Sequence, residues 1–209
     1  PGHRGQHNQA IWRGGFYAGL GPSAHGYEPS GWRTCNHSGL VEWLADLDGI
    51  EWHFIGPVQS NKTRQIASAF SWVHSVDRLK IARRLSEQRD PGMPPLNICL
   101  QVNINEEDSK SGSRITELPE LVAAIGELPN LKLRGLMAIP DPDQPEAELR
   151  TSFRKLANTL KQLKTDYPDA GPLDTLSMGM SGDLDIAIAE GATWVRVGTA
   201  LFGKRPAKS

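Results

Sequence analysis

Four short stretches of this sequence carry residue types that can do chemistry. The first is Ser177-Met178-Gly179-Met180-Ser181-Gly182-Asp183, where small hydroxyl and glycine residues directly precede an apolar, helix-like run. Backbone N–H groups at a helix start, together with the Ser181 hydroxyl, suit an anion such as phosphate. The plainer alternative is a simple helix cap by Ser181 or Gly182. The second stretch is Arg196-Val197-Gly198-Thr199-Ala200-Leu201-Phe202-Gly203. Gly198 permits close backbone approach and Thr199 adds a hydroxyl. Arg196 sits in an otherwise apolar strand and needs a partner, because an unpaired buried charge is costly. A ligand ring nitrogen or a carboxylate would serve. The third stretch, Gly56-Pro57-Val58-Gln59-Ser60-Asn61-Lys62, places a lysine where it could reach a phosphate or stand solvated at a capped helix start. The fourth is Asn103-Ile104-Asn105 with the loop Glu106-Glu107-Asp108-Ser109-Lys110-Ser111-Gly112. It reads either as a catalytic loop or as an exposed one.

Other residues point away from familiar chemistries. His53 and His74 lie on strand-like segments without a second ligand at metal spacing, so interior or strand-end histidines are expected and no metal site is assigned. Met137, Met178 and Met180 read as packing. No Gly-x-Ser-x-Gly elbow, Walker loop or paired-cysteine zinc motif occurs. Two cysteines, Cys35 and Cys99, make no disulfide framework, and a cytoplasmic location is the expectation. The formal net charge of -1, from 23 basic and 24 acidic residues, argues against a nucleic-acid or anionic-membrane partner. No apolar run approaches the roughly 20 residues that span a bilayer, and the N-terminus does not read as a signal peptide.

The stretches must be positioned by regular elements, and these begin after residue 40. With 209 residues, 38% of them hydrophobic, the chain is long enough to bury a core without staples. Strands are expected at 51–56, 72–76, 97–104, 131–139, 175–180 and 193–198. Several are apolar without strict alternation, as in parallel strands covered on their outer face. Helical stripes lie between them: Leu79, Ala82 and Leu85; then Leu118, Leu121, Val122, Ile125 and Leu128; then Leu149, Phe153, Leu156, Leu160 and Leu163, with Lys155, Lys161 and Lys164 toward water. A shorter helix is expected over 183–189. Strand–helix alternation implies right-handed crossovers and a parallel sheet. Four polar strand ends then fall on one rim, and the last two units match a phosphate site common in β/α barrels.

Six strands are two short of a closed eight-stranded barrel, and only residues 1–40 remain to supply the others. That region holds nine of the 21 glycines and no lysine, and shows neither helical period nor strand alternation. It reads as an atypical, poorly ordered leader, or as a fragment, processed product or gene model with an uncertain start.

The segment Glu51-Trp52-His53-Phe54-Ile55-Gly56-Pro57-Val58-Gln59-Ser60-Asn61-Lys62 resembles the signature of the pyridoxal phosphate homeostasis protein family. Ser109-Lys110-Ser111-Gly112, Arg134-Gly135-Leu136-Met137, Leu176 to Ser181 and Val195 to Gly203 fit the same family in the same order. The resemblance runs from about Leu44 to Arg205. It implies an α/β fold, a (β/α)8 TIM-type barrel like the N-terminal domain of alanine racemase, here with the first two strands absent or atypical. The domain division is then a leader over 1–40 and a pyridoxal phosphate-binding barrel over 41–209. The resemblance further implies pyridoxal 5'-phosphate as cofactor, held at its phosphate by Ser181, Gly198 and Thr199 with Arg196 at the pyridine nitrogen. It implies a role in vitamin B6 and amino-acid homeostasis without catalytic turnover, no catalytic residues, and a cytoplasmic monomer. The family's cofactor-anchoring lysine belongs at the end of the first strand, whereas the first lysine here is Lys62; Lys62 and Lys110 are the candidate substitutes. Two other readings stay open. One is a truncated or frameshifted member that does not bind. The other is a racemase-like enzyme, which would need a lysine base and an opposing group from a second domain.

Overall fold

The computed structural model describes residues 25–27, 33–35, 51–107, 111–141 and 143–198. The chain divides into two units, one of Pro1–Ile50 with Val197–Ser209 and one of Glu51–Arg196. The expected leader boundary near residue 40 lies outside the described residues. In the first unit, β1 (His25–Tyr27) pairs antiparallel with β2 (Arg33–Cys35), His25 opposite Cys35 and Tyr27 opposite Arg33. A ladder therefore occurs where the apolar pattern shows no alternation. Backbone pairing needs no amphipathic signal when the strands are only three residues long.

The second unit is a six-stranded parallel sheet with the strands in sequence order: β3 (His53–Phe54), β4 (Trp72–Val76), β5 (Leu96–Gln101), β6 (Leu131–Met137), β7 (Thr175–Met180) and β8 (Trp194–Arg196). Helices α1 (Thr63–Ala69), α2 (Leu79–Gln88), α3 (Leu118–Gly126), α4 (Glu146–Asp166) and α5 (Leu184–Ala189) alternate with the strands. This is the expected parallel α/β architecture, a half-barrel. All five residues of β4 are buried, the polar His74 and Ser75 included, because both faces of a parallel strand are covered.

The longest helical stripe buries as read, whereas Leu79, Leu121 and Leu128 of the other two are only half-buried. α4 buries Leu149, Phe153, Leu156, Leu160 and Leu163, and carries Glu146 and Glu148 in its first turn and Lys164 in its last, matching its dipole. α3 buries Leu118, Val122 and Ile125. α2 buries Ala82 and Leu85, and also Ile81, which the spacing-by-three reading omitted. At its end Arg89, 4% exposed, donates to the carbonyls of Phe70 at 2.8 Å and Pro94 at 3.0 Å, tying the α1–β4 turn to the loop before β5.

Several strands are shorter than expected. β3 covers only two of six expected residues, and β5 stops at Gln101 because Asn103 turns the chain, its Oδ1 accepting from the Glu107 N–H at 3.1 Å. The last helix starts at Leu184, not Asp183, and the cap falls on Asp183 instead of Ser181 or Gly182. The reason is local: the Asp183 carboxylate accepts from the Met180 N–H, which holds Asp183 outside helical geometry. Gly135 lets β6 approach β7, because a Cβ there would collide with the Thr175 carbonyl oxygen. No helix among the described residues is long and apolar enough to cross a membrane.

Candidate functional site

The carboxyl ends of parallel strands form a common rim where ligands are bound. Arg196 ends β8. Its Nη1 donates to the Ser177 carbonyl and to Ser177 Oγ, both at 2.9 Å, and its Nη2 donates to the Ala138 carbonyl at 3.0 Å. The guanidinium thus spans from β8 across β7 to the residue just past β6. Its Nε is buried without a hydrogen-bond partner among the described residues. Burial pulls the Arg196 pKa below its usual value, and the Asp183 carboxylate opposes that pull. An arginine retains its proton in such a setting.

Ser181 directly follows Met180, and Met180 is the register partner of Arg196. The half-buried Ser181 and the carboxyl end of β8 are therefore neighbours on the rim. Two further features shape this turn. Gly179 has φ +95, and a Cβ there would stand 2.5 Å from the Ala187 Cβ, so glycine lets α5 sit tightly on β7. A Cβ at Gly182 would meet nothing within 4 Å, so a ligand could approach the backbone there; Gly198 belongs to the other unit. Thr199 and Lys110 lie outside the described residues. Lys62 is exposed at the cap of α1. Elsewhere on the rim, a cavity of about 290 Å³ opens past β5 and β6 with the carboxamides of Gln101, Asn103 and Asn105 in its wall.

Two sets of residues escaped the sequence reading. Ser177, fully buried, and Ala138 hold Arg196, whose need for a partner was legible while the identity of the partner was not. The second set lies at the opposite ends of the strands. His53 Nδ1 and His74 Nε2 are 2.8 Å apart, His53 stacks on Trp72 at 5.2 Å and 8°, and Trp194 approaches His53 at 4.6 Å. Glu51 accepts from Trp72 Nε1 at 3.0 Å and stands 3.5 Å from His53 Nε2. Arg134 lies over the Trp72 ring at 4.7 Å and pairs with Asp174 at 2.8 Å. The two histidines are 21 residues apart, a spacing that carries no signal until strand register is known.

The residues present fit pyridoxal phosphate at two points. The buried, unpartnered Arg196 Nε is a donor that a pyridine nitrogen would satisfy, and the open backbone at Gly182 suits a phosphate. They do not include a lysine ahead of Lys62.

Comparison with known proteins places the chain in a family. Residues 49–206 match the family model "Alanine racemase, N-terminal domain". The chain is 62% identical over 162 residues to the pyridoxal phosphate homeostasis protein of Pseudomonas aeruginosa, covering 78% of this chain and 67% of that protein. It is 54% identical over 159 residues to the protein of the same name from Escherichia coli K12, covering 76% and 67%. Among solved structures, PipY of Synechococcus elongatus with pyridoxal phosphate bound superposes with a TM-score of 0.70 at 36% identity, over 77% of this chain and 74% of that one. An alanine racemase from Clostridium difficile shares the fold at a TM-score of 0.57 and 15% identity, over 77% and 42% of the two chains. The fold and rim thus define a barrel half of the alanine racemase N-terminal class. Within that class, the chain belongs to the pyridoxal phosphate homeostasis protein family, and it spans about two thirds of the length of the curated relatives it matches.

Proposed function

We propose that this chain binds pyridoxal 5'-phosphate at the β7–β8 rim and serves vitamin B6 and amino-acid homeostasis without catalytic turnover. The observation that carries the reading is Arg196: a permanently charged side chain locked by Ser177 and Ala138, with its buried Nε unpartnered among the described residues. Ser181, Gly198 and Thr199 would receive the phosphate, with backbone N–H groups past β7 contributing. When bound, the cofactor supplies an aldehyde and an electron-withdrawing ring. Arg196 would donate to the ring nitrogen and keep its own proton, so the ring would stay a weak electron sink. That arrangement suits storage and delivery of the cofactor over reaction on it. A small-molecule ligand, a cytoplasmic location, a monomeric state and the absence of nucleic-acid or membrane partners complete the proposal. It is supported by the near-neutral charge balance and the sparse cysteines.

The test is equilibrium dialysis of the purified chain with pyridoxal phosphate, with peptide mapping after borohydride fixation. Retention that falls at least tenfold in Arg196→Ala supports the rim site, and label on Lys62 or Lys110 identifies the substitute anchor. Binding that is absent, or that is unaffected by loss of Arg196, overturns the proposal.

A further inference from the structure

We infer that Glu51, His53 and His74 form a proton relay in which uptake of one proton reverses the His53–His74 hydrogen bond and makes His74 a positioning residue for Arg196. The two ring nitrogens, 2.8 Å apart, hold one hydrogen between them. Glu51 Oε2 faces His53 Nε2 at 3.5 Å, so the hydrogen of neutral His53 sits on Nε2 and Nδ1 accepts. His74 Nε2–H is then the donor, and His74 Nδ1 is a bare acceptor. That atom is buried without a hydrogen-bond partner among the described residues.

The pair begins with two ring hydrogens, both on Nε2 atoms. When one proton is taken up, the Nε2 hydrogen of His74 passes to His53 Nδ1 and the incoming proton ends on His74 Nδ1. The pair then holds three hydrogens, the positive charge rests on His53 beside the Glu51 carboxylate, and His74 stays neutral with its tautomer inverted. Charge settles on His53 because burial, His53 and Arg196 together push His74 down to about 4. Burial also lowers His53, but Glu51 acts in the opposite direction there.

Among the described residues, the elements around the pair carry the following charges and protons. Glu51 precedes β3. Cys99 on β5 is kept protonated by burial. Arg134 on β6 is neutralised by Asp174 ahead of β7. Asp183, past β7, acts on Arg196 of β8. Arg196, the cation that acts on His74 from β8, is the group that would report whether His74 Nδ1 presents a lone pair or a hydrogen, and no hydrogen bond joins the two among the described residues. A lone pair attracts the guanidinium and a hydrogen repels it, so acid loosens Arg196. The consequence for a bound ligand rests on the function proposed above; the relay itself does not.

Histidine- and arginine-selective 15N NMR on the ligand-free chain tests the relay. His74 should carry its hydrogen on Nε2 at pH 8 and on Nδ1 below the His53 midpoint, and the Arg196 Nε signal should move with the same midpoint. Glu51→Gln, at an exposed position, should carry both midpoints toward acid together by about half a pH unit. A His74 Nδ1–H already present at pH 8, or an Arg196 signal that stays still while His53 titrates, overturns the inference. In dialysis with pyridoxal phosphate, retention should fall severalfold across the midpoint and follow it in Glu51→Gln. Flat retention overturns the coupling to the ligand. Absence of retention at every pH defeats the proposed function and leaves the NMR result to decide the relay.

Discussion

The two ends of the half-barrel hold their buried polar groups in opposite ways. At the carboxyl rim, Arg196 is fixed by two backbone carbonyls and one hydroxyl, all of them acceptors whose protonation does not change with pH. At the other end, His53 and His74 satisfy each other through a hydrogen that can sit on either ring. The rim therefore keeps its charge as pH changes, while the aromatic end changes its protonation. The lesson is that a parallel barrel can separate a constant-charge ligand face from a titratable interior layer within one sheet.

Breaking the rim should cost most. Arg196→Ala leaves the Ser177 and Ala138 carbonyls without their donors, and a loss on the order of 4 kcal/mol is expected in chemical denaturation, because the partners of a buried charge are left unpaired. Acid should cost nearly as much at the other end. The folded-state pKa of His74, about 4, lies below its unfolded value of about 6.5. The unfolded chain therefore binds more protons between those limits, and stability is full above the upper one and declines as pH falls toward the lower. The decline should reach about 3 kcal/mol, read as a falling denaturation midpoint between pH 7 and 4. Ser177→Ala removes one of the three Arg196 acceptors, leaves both carbonyls in place, and should cost about 1 kcal/mol. Trp194→Leu keeps apolar bulk but loses the ring contact with His53, and should cost about 0.5–1 kcal/mol while flattening the near-ultraviolet circular dichroism. If Trp194→Leu cost more than Ser177→Ala, the contrast between a rigid rim and a softer aromatic end would fail.

The parts of this architecture that local pattern encodes were readable from the residues. The α4 stripe repeats every three to four residues from Leu149 to Leu163, and the helix buries that stripe. β5 and β7 are apolar runs of strand length and lie near their expected places. Arg196 stood out because an arginine in an apolar strand demands a partner. What the residues did not reveal depends on register. Ser177 and Ala138 become neighbours of Arg196 only once β6, β7 and β8 are aligned, and Glu51, His53, Trp72, His74 and Trp194 assemble the same way. The cap at Asp183 was missed because Ser181, Gly182 and Asp183 are all good capping types, and the choice fell to the Met180 N–H.

Arg196 also has a mechanical meaning. β8 is three residues long, and it pairs with β7 at Ser177 opposite Trp194 and Met180 opposite Arg196, with a register shift between them. A ladder this short resists fraying weakly, whereas the guanidinium reaches two strands inward to Ala138. A load pulling β8 away from the sheet would thus be carried in shear by one side chain before it reached the backbone. The strand's amide exchange should then report the state of that side chain more than the strength of its own ladder.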